Sequence, residues 1–370
     1  MKNYPEPLNL DILKVYPLQT RQHKSRLKEI LVEPADFPKR CDGKTQEQIL
    51  DCAERIKKAQ RNKASVIIMY GAHLIKNGGQ LLLNHLMDRG FITHLATNGA
   101  GTIHDWEFSY LGCSTEDVKA NVAIGSFGTW DETGRYIMLA ILAGGIRGDG
   151  YGKSLGRFIQ EDGVYLPPCD DLVNQVKENP FDELNAARMD LVNTMKKYNI
   201  KSGHHIVIHP YRNVSVLAHS YLHRIPLTVH PGIGYDIITN HPMYSGSAVG
   251  RAAYMDFRMI CKAIDNLDNG VVISIGSAVM APQVFEKAMS CVNNLRLQSS
   301  RPVVSGHTIY VVDIQDGGRW DWSAGEPPKD NPAYYLRFCK SFSRMGGAMH
   351  YVQCDNISFL HNLYHTLIRE

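Results

Sequence analysis

Two glycine-rich stretches of the chain are joined to residues that can move protons or carry charge. The stretch 97–101 reads TNGAG, and His104 and Asp105 follow it within about one helical turn. Small residues let the phosphates of a ligand approach backbone amides, and an imidazole titrates close to neutral pH. The stretch 230–236 reads HPGIGYD and ends in an acid, Asp236. Both stretches are therefore candidate ligand-binding loops with a base or an acid beside them.

A regular scaffold must hold these loops, and the hydrophobic pattern predicts a parallel sheet. Residues 66–69 form an apolar, β-branched-rich run typical of a strand buried on both faces, and an amphipathic helix over 74–88 separates it from the apolar run 91–96. Strands and helices alternate in this way along the chain. The predicted fold class is α/β, a three-layer, doubly wound, mainly parallel sheet of six or seven strands. The predicted strands are 66–69, 91–96, 205–209, 226–229, 271–275, 307–313 and 348–352.

Most of these strands are followed at once by Gly, Asn or an acid. The carboxyl ends of parallel strands lie along one edge of the sheet, where ligands of such folds bind. The sequence therefore predicts that the strand ends converge on one cleft. The segments are TNGAG at 97–101, HPGIGYD at 230–236, GSA at 276–278, DIQDGG at 313–318 and CDN at 354–356.

Composition limits the class of partner. The 370 residues carry 40 basic and 37 acidic side chains, a net charge of +3, so charge indicates neither a nucleic-acid nor a membrane partner. No apolar run has the length of a membrane span, and the N-terminus lacks the apolar core of a signal peptide. Eight singly scattered cysteines are typical of reduced thiols in a cytoplasmic protein. The histidines are interpreted as core or surface imidazoles, and no metal site is predicted.

The chain is predicted to consist of an N-terminal arm, 1–45, and a single α/β catalytic domain, 46–370. The arm is polar, basic and interrupted by prolines. It either lies against the body or a neighbouring subunit, or is a partly disordered leader. A helix over 45–61 follows, with Thr45 and Gln48 as a capping box.

Two further segments have competing interpretations. The glycine-dense segment 144–156 follows no strand and lacks the P-loop spacing, so a flexible lid or a joint between helices is favoured. The aromatic patch 320–322 is either a plug in the core or at an interface, or an apolar wall for a substrate.

The order of these motifs resembles that of the deoxyhypusine synthase family and covers most of the chain from about residue 64. That family binds NAD at the strand ends of a Rossmann-like sheet and works as a homotetramer with sites at dimer interfaces. The resemblance therefore implies a deoxyhypusine synthase-like NAD-binding fold, NAD as the cofactor, and that assembly. The segments that carry it are 70–78, 97–105, 230–236, 271–277, 316–318 and 353–356. The cofactor-binding residues it implies are Gly71, Ala72, His73, Thr97, Asn98, Gly99, Gly101, Gly276, Ser277, Asp313, Asp355 and Asn356.

The sequence departs from the family where the transfer chemistry resides. The family carries an aminobutyl group from spermidine as an imine on a lysine, and the matching position here is Arg337. A guanidinium stays protonated and cannot form that imine. Lys340 lies one turn further on, and Met280-Ala281-Pro282 replace a Lys-His-His of the family. The cofactor half of the site is thus retained and the transfer half altered.

These observations predict an NAD-dependent enzyme that removes hydride from an amine or alcohol carbon of a small substrate, without a lysine-bound intermediate. His104 is the candidate base, and Arg337 is also predicted to be catalytic. Two alternatives stay open. One is a genuine aminobutyl transferase acting on spermidine through Lys340 or another lysine, and the other is a non-catalytic NAD-binding protein. The acids that could hold a cationic substrate are Asp105, Asp236, Asp316 and Asp321.

Overall fold

A six-stranded parallel sheet forms the centre of the computed structural model, which describes residues 4–369. The strands are β1 (Val66–Tyr70), β2 (His94–Thr97), β3 (Leu227–Val229), β4 (Val271–Ile275), β5 (Thr308–Asp313) and β6 (Ala348–Gln353). The order across the sheet is β3-β2-β1-β4-β5-β6, and every neighbouring pair is parallel. The central strands β1 and β4 are buried along their whole length. The predicted α/β, doubly wound fold class is confirmed.

Fifteen α-helices lie within residues 4–369, and most of them connect or cover the strands of this sheet. None of them combines the length and the apolar character needed to cross a membrane. The helices are α1 (Leu27–Ile30), α2 (Gly43–Arg61), α3 (Ala72–Lys76), α4 (Gln80–Asp88), α5 (Gly99–Leu111), α6 (Val118–Ala123), α7 (Asp131–Gly145), α8 (Tyr151–Gln160), α9 (Cys169–Glu178), α10 (Asn185–Lys197), α11 (Val216–Leu222), α12 (Gly246–Asp265), α13 (Met280–Gln298), α14 (Arg337–Ser343) and α15 (Asn356–Ile368).

The sheet has helices on both faces because alternate strand residues point to opposite sides. In β1, Ile68 and Tyr70 belong to one apolar core together with residues of α2 and α15. Ile67 and Met69 of the same strand belong to a second core with residues of α12 and α13. Each fully buried Ile stabilises the folded state by roughly 1.5–3 kcal/mol relative to an exposed one. The two cores therefore stabilise the sheet from both of its faces. The sheet is thus the middle of three layers.

The crossover between β1 and β2 consists of two helices, α3 and α4, whereas a single helix over 74–88 was expected. Gly78 between them has a φ of +86°. A Cβ there would lie 1.9 Å from the carbonyl oxygen of Ile30, and the amide of Val32 donates to the Gly78 carbonyl at 3.0 Å. The N-terminal segment therefore packs into the break between the helices. Helical periodicity does not encode a contact between residues so far apart in sequence.

Helix α2 begins two residues before the expected start because Asp42, not Thr45, is its N-cap. The Asp42 carboxylate accepts hydrogen bonds from the amide and the hydroxyl of Thr45, both at 2.9 Å. An aspartate at this position satisfies amides that have no partner within the helix. The predicted capping box at Thr45 is therefore wrong.

Residues 16–31 pack against the body of the same chain. Leu18 is fully buried, and its amide donates to the Glu132 carboxylate at 2.6 Å. The two-residue strand Ser25–Arg26 pairs antiparallel with Cys113–Ser114. This part of the predicted arm therefore lies on the body.

The remaining strands form a separate antiparallel pair, Gly163–Leu166 with Gly203–Ile206. The prediction that a strand over 205–209 belongs to the main sheet is therefore wrong. The glycine-dense segment 144–156 contains the joint between α7 and α8, as one of its two interpretations predicted.

Candidate functional site

The strand order reverses between β1 and β4, and the loops that follow these two strands touch. A Cβ on Gly71 would lie 2.1 Å from the carbonyl oxygen of Gly276, so only a glycine permits this approach. The Gly71 amide donates to the carbonyl of Ile275 at 3.0 Å. Gly276 has a φ of +57°, and a Cβ on it would lie 2.3 Å from Nδ2 of Asn356. Three predicted cofactor-binding residues, from the ends of β1, β4 and β6, thus meet at one point.

The TNGAG loop after β2 is tied to β1 and starts α5. The Thr97 hydroxyl donates to the carbonyl of Tyr70 at 3.0 Å. The Asn98 side chain caps α5 by accepting from the Gly101 amide at 2.9 Å. A Cβ on Gly101 would lie 2.3 Å from the Thr97 hydroxyl oxygen. The small residues of this loop therefore bring strand, cap and helix together at the carboxyl edge of the sheet.

The carboxylate of Asp236 occupies the N-terminus of α5. It lies so close that a Cβ on Gly99 would be 2.2 Å from its Oδ2. Oδ2 accepts from the Gly232 amide at 2.8 Å, and the backbone of Ala100 also hydrogen-bonds to this carboxylate. Only 2% of Asp236 is exposed, and its Oδ1 is buried without a hydrogen-bond partner. Burial raises the pKa of Asp236 to about 6, despite the two amide donors that lower it.

His104, on α5, is connected to a buried polar network. Its Nδ1 lies 2.7 Å from the hydroxyl oxygen of Ser114, and that hydroxyl donates to the Glu107 carboxylate at 2.5 Å. Because Ser114 has one proton and gives it to Glu107, the Nδ1–H of His104 must be the donor in the first contact. Nε2 then carries the lone pair of the ring. Burial lowers the pKa of His104 to about 4, so the ring is neutral at neutral pH.

Glu107 is fully buried and accepts four hydrogen bonds. Arg21, from the N-terminal arm, donates Nη1 and Nη2 to it at 2.9 and 2.6 Å, and the Thr133 hydroxyl donates at 2.8 Å. Ser114 supplies the fourth. Burial alone would raise the pKa of Glu107, but the charge and hydrogen bonds of Arg21 outweigh it and hold that pKa below its usual value. Sequence reasoning missed Arg21, Glu107 and Ser114, and the available signal was the position of Glu107 one helical turn after His104.

Asp105 is buried and caps another helix. Its carboxylate accepts from the Ser215 hydroxyl at 2.6 Å and from the amides of Val216 and Leu217 at 2.9 and 3.1 Å. Burial raises its pKa to about 6. All of its hydrogen bonds are thus directed at the first turn of α11 rather than at the cleft.

The other predicted residues lie at the rim or on the β5 and β6 side. His73 on α3 and Asp355, the N-cap of α15, are exposed, whereas Ser277 is buried. Asp313 caps a turn by accepting from the Gln315 amide at 3.0 Å, and exposed Asp316 accepts from the Gly318 amide at 2.9 Å. The structure therefore gathers two groups. One is Gly71, Gly276 and Asn356, and the other is 97–101 with Asp236.

Two positions of the predicted transfer half, Arg337 and Lys340, lie on α14. Arg337, its first residue, is exposed, and none of the ion pairs within residues 4–369 includes it. The nearby carboxylate of Glu326 forms ion pairs with Lys340 and Arg344. The ammonium nitrogen of Lys340 also lies 3.2 Å from the centre of the Tyr334 ring. Both contacts are partners for a cation, whereas an imine requires a neutral amine.

The aromatic patch packs mainly inward. Trp322 is 4% exposed and belongs to the apolar core under α13 and α14. Trp320 donates its indole N–H to the carbonyl of Gly325 at 2.8 Å. The structure therefore shows the patch as a plug in the core, which was one of its two predicted roles.

No family model matches the chain, and no curated protein matches it either. Solved structures of similar fold include the ternary complex of AgrE with ornithine and NAD+, at 14% identity and a TM-score of 0.41 over 90% of this chain. A LOR/SDH protein from Methanococcus maripaludis S2 has 13% identity and a TM-score of 0.42, over 96% of this chain and 76% of that one. A candidate deoxyhypusine synthase from Entamoeba histolytica has 11% identity and a TM-score of 0.35, over 74% of this chain and 80% of that one.

The chain spans about a third of the length of AgrE, 34% of that protein. At these identities and TM-scores the comparisons assign no function to the chain.

Proposed function

We propose that the chain is an NAD-dependent enzyme whose cofactor binds at the carboxyl edge of the sheet, where the strand order reverses. The observation that carries this proposal is the order β3-β2-β1-β4-β5-β6 with Gly71 against Gly276 at the reversal. In open α/β sheets of this order, dinucleotides bind in the crevice at that point. Two glycines there leave backbone rather than side chains at the bottom of the crevice.

A buried oxygen atom without a hydrogen-bond partner supports a ligand at this edge. It is Oδ1 of Asn356, beside Gly276. A buried acceptor without a donor costs about 1–3 kcal/mol. A hydroxyl or amide group, both of which NAD carries, would supply the missing donor.

The N-terminus of α5 suits the pyrophosphate, because the first backbone amides of a helix are donors for a negatively charged group. The Asp236 carboxylate has the amides of Gly232 and Ala100 as donors there. For a phosphate to take that place, the loop 230–236 has to move away from Gly99. The proposed cofactor contacts are Gly71, Ala72, His73, Thr97, Asn98, Gly99, Gly101, Gly276, Ser277 and Asn356, with Asp313 and Asp355 for ribose hydroxyls.

The chemistry proposed is oxidation of an amine or alcohol carbon in a small substrate, for which bound NAD+ supplies a hydride acceptor. Nε2 of His104 removes the proton from the substrate's amine or hydroxyl group. The Nδ1–H donated to Ser114 fixes the tautomer in which Nε2 is the base. The Glu107 carboxylate stabilises the imidazolium as it forms, since its charge raises the pKa of His104 against the effect of burial.

A cytoplasmic homotetramer with sites at dimer interfaces belongs to the same proposal, because it follows from the family resemblance. The aminobutyl-transferase alternative has to form its imine on a lysine, and the Nζ atom of Lys340 is engaged by the Tyr334 ring and the Glu326 carboxylate. The exposed Arg337, which takes part in no ion pair within residues 4–369, instead suits a carboxylate or phosphate on the substrate.

Calorimetric titration with NAD+, followed by assays of reduced NAD, tests the function. The substrate panel combines spermidine, putrescine, hydroxy acids and amino acids, including the ornithine and arginine that AgrE complexes hold. We expect NAD+ binding and reduction with an acid-bearing substrate. His104→Gln should lose turnover and keep its NAD+ affinity, while His204→Gln, an exposed histidine on the hairpin, should change neither.

Three outcomes would contradict the proposal in different ways. If neither the folded wild-type protein nor the folded Asp236→Ala variant binds NAD+, the proposed cofactor site is wrong. Spermidine-dependent reduction, with no response to any acid and with loss of turnover in Lys340→Arg, would establish the transferase alternative. NAD+ binding without turnover on any substrate would favour the non-catalytic alternative.

Arg337→Lys should weaken use of the acidic substrate and leave NAD+ affinity unchanged.

A further inference from the structure

Two histidines and an aspartate meet at the amino edge of the sheet, away from the cofactor crevice. Asp88 is the last residue of α4, and His219 and His223 lie one helical turn apart at the end of α11. Nε2 of His219 is 2.8 Å from Oδ1 of Asp88, and Nε2 of His223 is 3.5 Å from the same oxygen. One ligand atom from each residue lies within 4.8 Å of the other two.

The three ligand atoms lie close enough together to share one metal ion. Zinc bonds of about 2.0–2.1 Å in a tetrahedron place neighbouring ligand atoms roughly 3.3 Å apart. The distances of 2.8 and 3.5 Å bracket that value. The two imidazole rings stack at 4.2 Å with 23° between their planes, so both Nε2 atoms face the same carboxylate. An ion pair needs only one of the two histidines.

The surroundings favour a cation and hold the ligands in place. Helices α4 and α11 both end at this cluster, and helix C-termini attract positive charge. The His219 ring also forms a hydrogen bond with the backbone of Asn84. Such a bond orients an imidazole toward a metal. The Asn84 side chain donates to the carbonyl of Val214 at 3.2 Å, which ties α4 to the start of α11.

We propose that Asp88, His219 and His223 form a site for a divalent transition metal of the zinc class. Two imidazoles and one carboxylate are a common zinc donor set, and three protein ligands leave a fourth position for water. Asp88 and His223 are exposed, which gives the ion an entry path. The metal links α4, which precedes β2, to α11, which precedes β3. The site stabilises this part of the fold and is independent of the proposed cofactor chemistry.

Metal titration of the untagged full chain, freed of metal by a chelator, tests the site. We expect one equivalent of Zn²⁺ by calorimetry, a visible absorption spectrum of tetrahedral type with Co²⁺, and a higher melting temperature with Zn²⁺. His219→Gln and His223→Gln should each weaken binding by about a hundredfold or more, since even outer contacts of metal sites are worth about 10–100-fold. Asp88→Asn should weaken it as well.

The control is His204→Gln, because His204 is an exposed histidine whose ring lies 5.0 Å from that of Tyr165, with 54° between the ring planes. This variant should bind Zn²⁺ like the wild type. Absence of stoichiometric binding to the wild-type chain would overturn the site. Equal binding by the folded His219→Gln and His223→Gln variants would also overturn it, by locating the ion elsewhere.

Discussion

Replacing Asp236 by asparagine tests whether the chain's own carboxylate fills the N-terminus of α5. The pKa of Asp236 rises from 3.8 to about 6 because the carboxylate is buried. Each pKa unit corresponds to about 1.36 kcal/mol, so ionised Asp236 costs the folded state about 3 kcal/mol. The value already includes the favourable amide hydrogen bonds, which act in the opposite direction. The asparagine side chain of the variant keeps a carbonyl oxygen that can accept from one of those amides, and it carries no charge.

The sign of the pH dependence follows from that raised pKa. Below pH 3.8 the carboxyl is protonated in the folded and the unfolded chain, so it imposes no cost. The cost grows as pH rises and is complete above the folded-state pKa of about 6. We therefore expect Asp236→Asn to match the wild type near pH 4 and to unfold with a free energy higher by about 1–3 kcal/mol near pH 8.

The assay is urea unfolding of both proteins at a series of pH values, together with NAD+ titration. Asp170→Asn is the control, because Asp170 is an exposed acid in the first turn of α9 and its substitution should lower the free energy of unfolding by less than about 1 kcal/mol. The Asp236→Asn variant should bind NAD+ more weakly near pH 8, since its neutral side chain is more stable at α5 than the ionised carboxylate and NAD+ has to displace it. A stability difference that stays constant from about pH 4 to about pH 8 would refute the burial argument.

The other predictions concern the buried ion pair, the glycine beside Asp236 and the assembly. Arg21→Met leaves the charge of Glu107 buried and unpaired, so it should lower the free energy of unfolding in urea by about 3–5 kcal/mol. The control is Lys24→Met, whose ion pair is exposed, and it should change that free energy by less than about 1 kcal/mol. Gly99→Val forces a side chain onto the Asp236 carboxylate and should cost about 1–3 kcal/mol. Adding Asp236→Ala should recover part of that loss in a double-mutant cycle, and strict additivity would contradict the contact. Sedimentation should show a homotetramer, and a monomer throughout the micromolar range would contradict the proposed assembly.

The strands of the main sheet were predictable because their signal is local. Strands β1 and β4 are continuous apolar runs, which is the pattern of a strand covered on both faces. Their order across the sheet was not predictable in the same way. Pairing β1 with β4 depends on contacts between residues about 200 positions apart, which the sequence pattern does not display. The reversal that locates the proposed cofactor crevice is therefore a result of the structure.

The network behind His104 shows the same limit for side chains. Arg21 and Glu107 are 86 residues apart, and in the sequence Arg21 is one of several basic residues in a polar segment. Its burial follows only from the path of the arm across the body. An unpaired Glu107 would be costly at full burial, so the arm and α5 stabilise each other. The same contact fixes the hydrogen bonds that orient His104.

Gly99 and Asp236 show that small residues and acids in loops do not by themselves indicate what they contact. The sequence assigns Gly99 to the cofactor and Asp236 to the substrate, because a small residue indicates close approach without saying by what. In the structure the two form a single contact, with the carboxylate where a Cβ would be. If NAD takes the N-terminus of α5, Asp236 has to leave it, and its carboxylate becomes free to hold a cationic group in the cleft. The proposed function therefore requires an order of binding, with the cofactor before a cationic substrate. Initial-rate kinetics with product inhibition would show that order, and random binding would mean that Asp236 serves only one of the two roles.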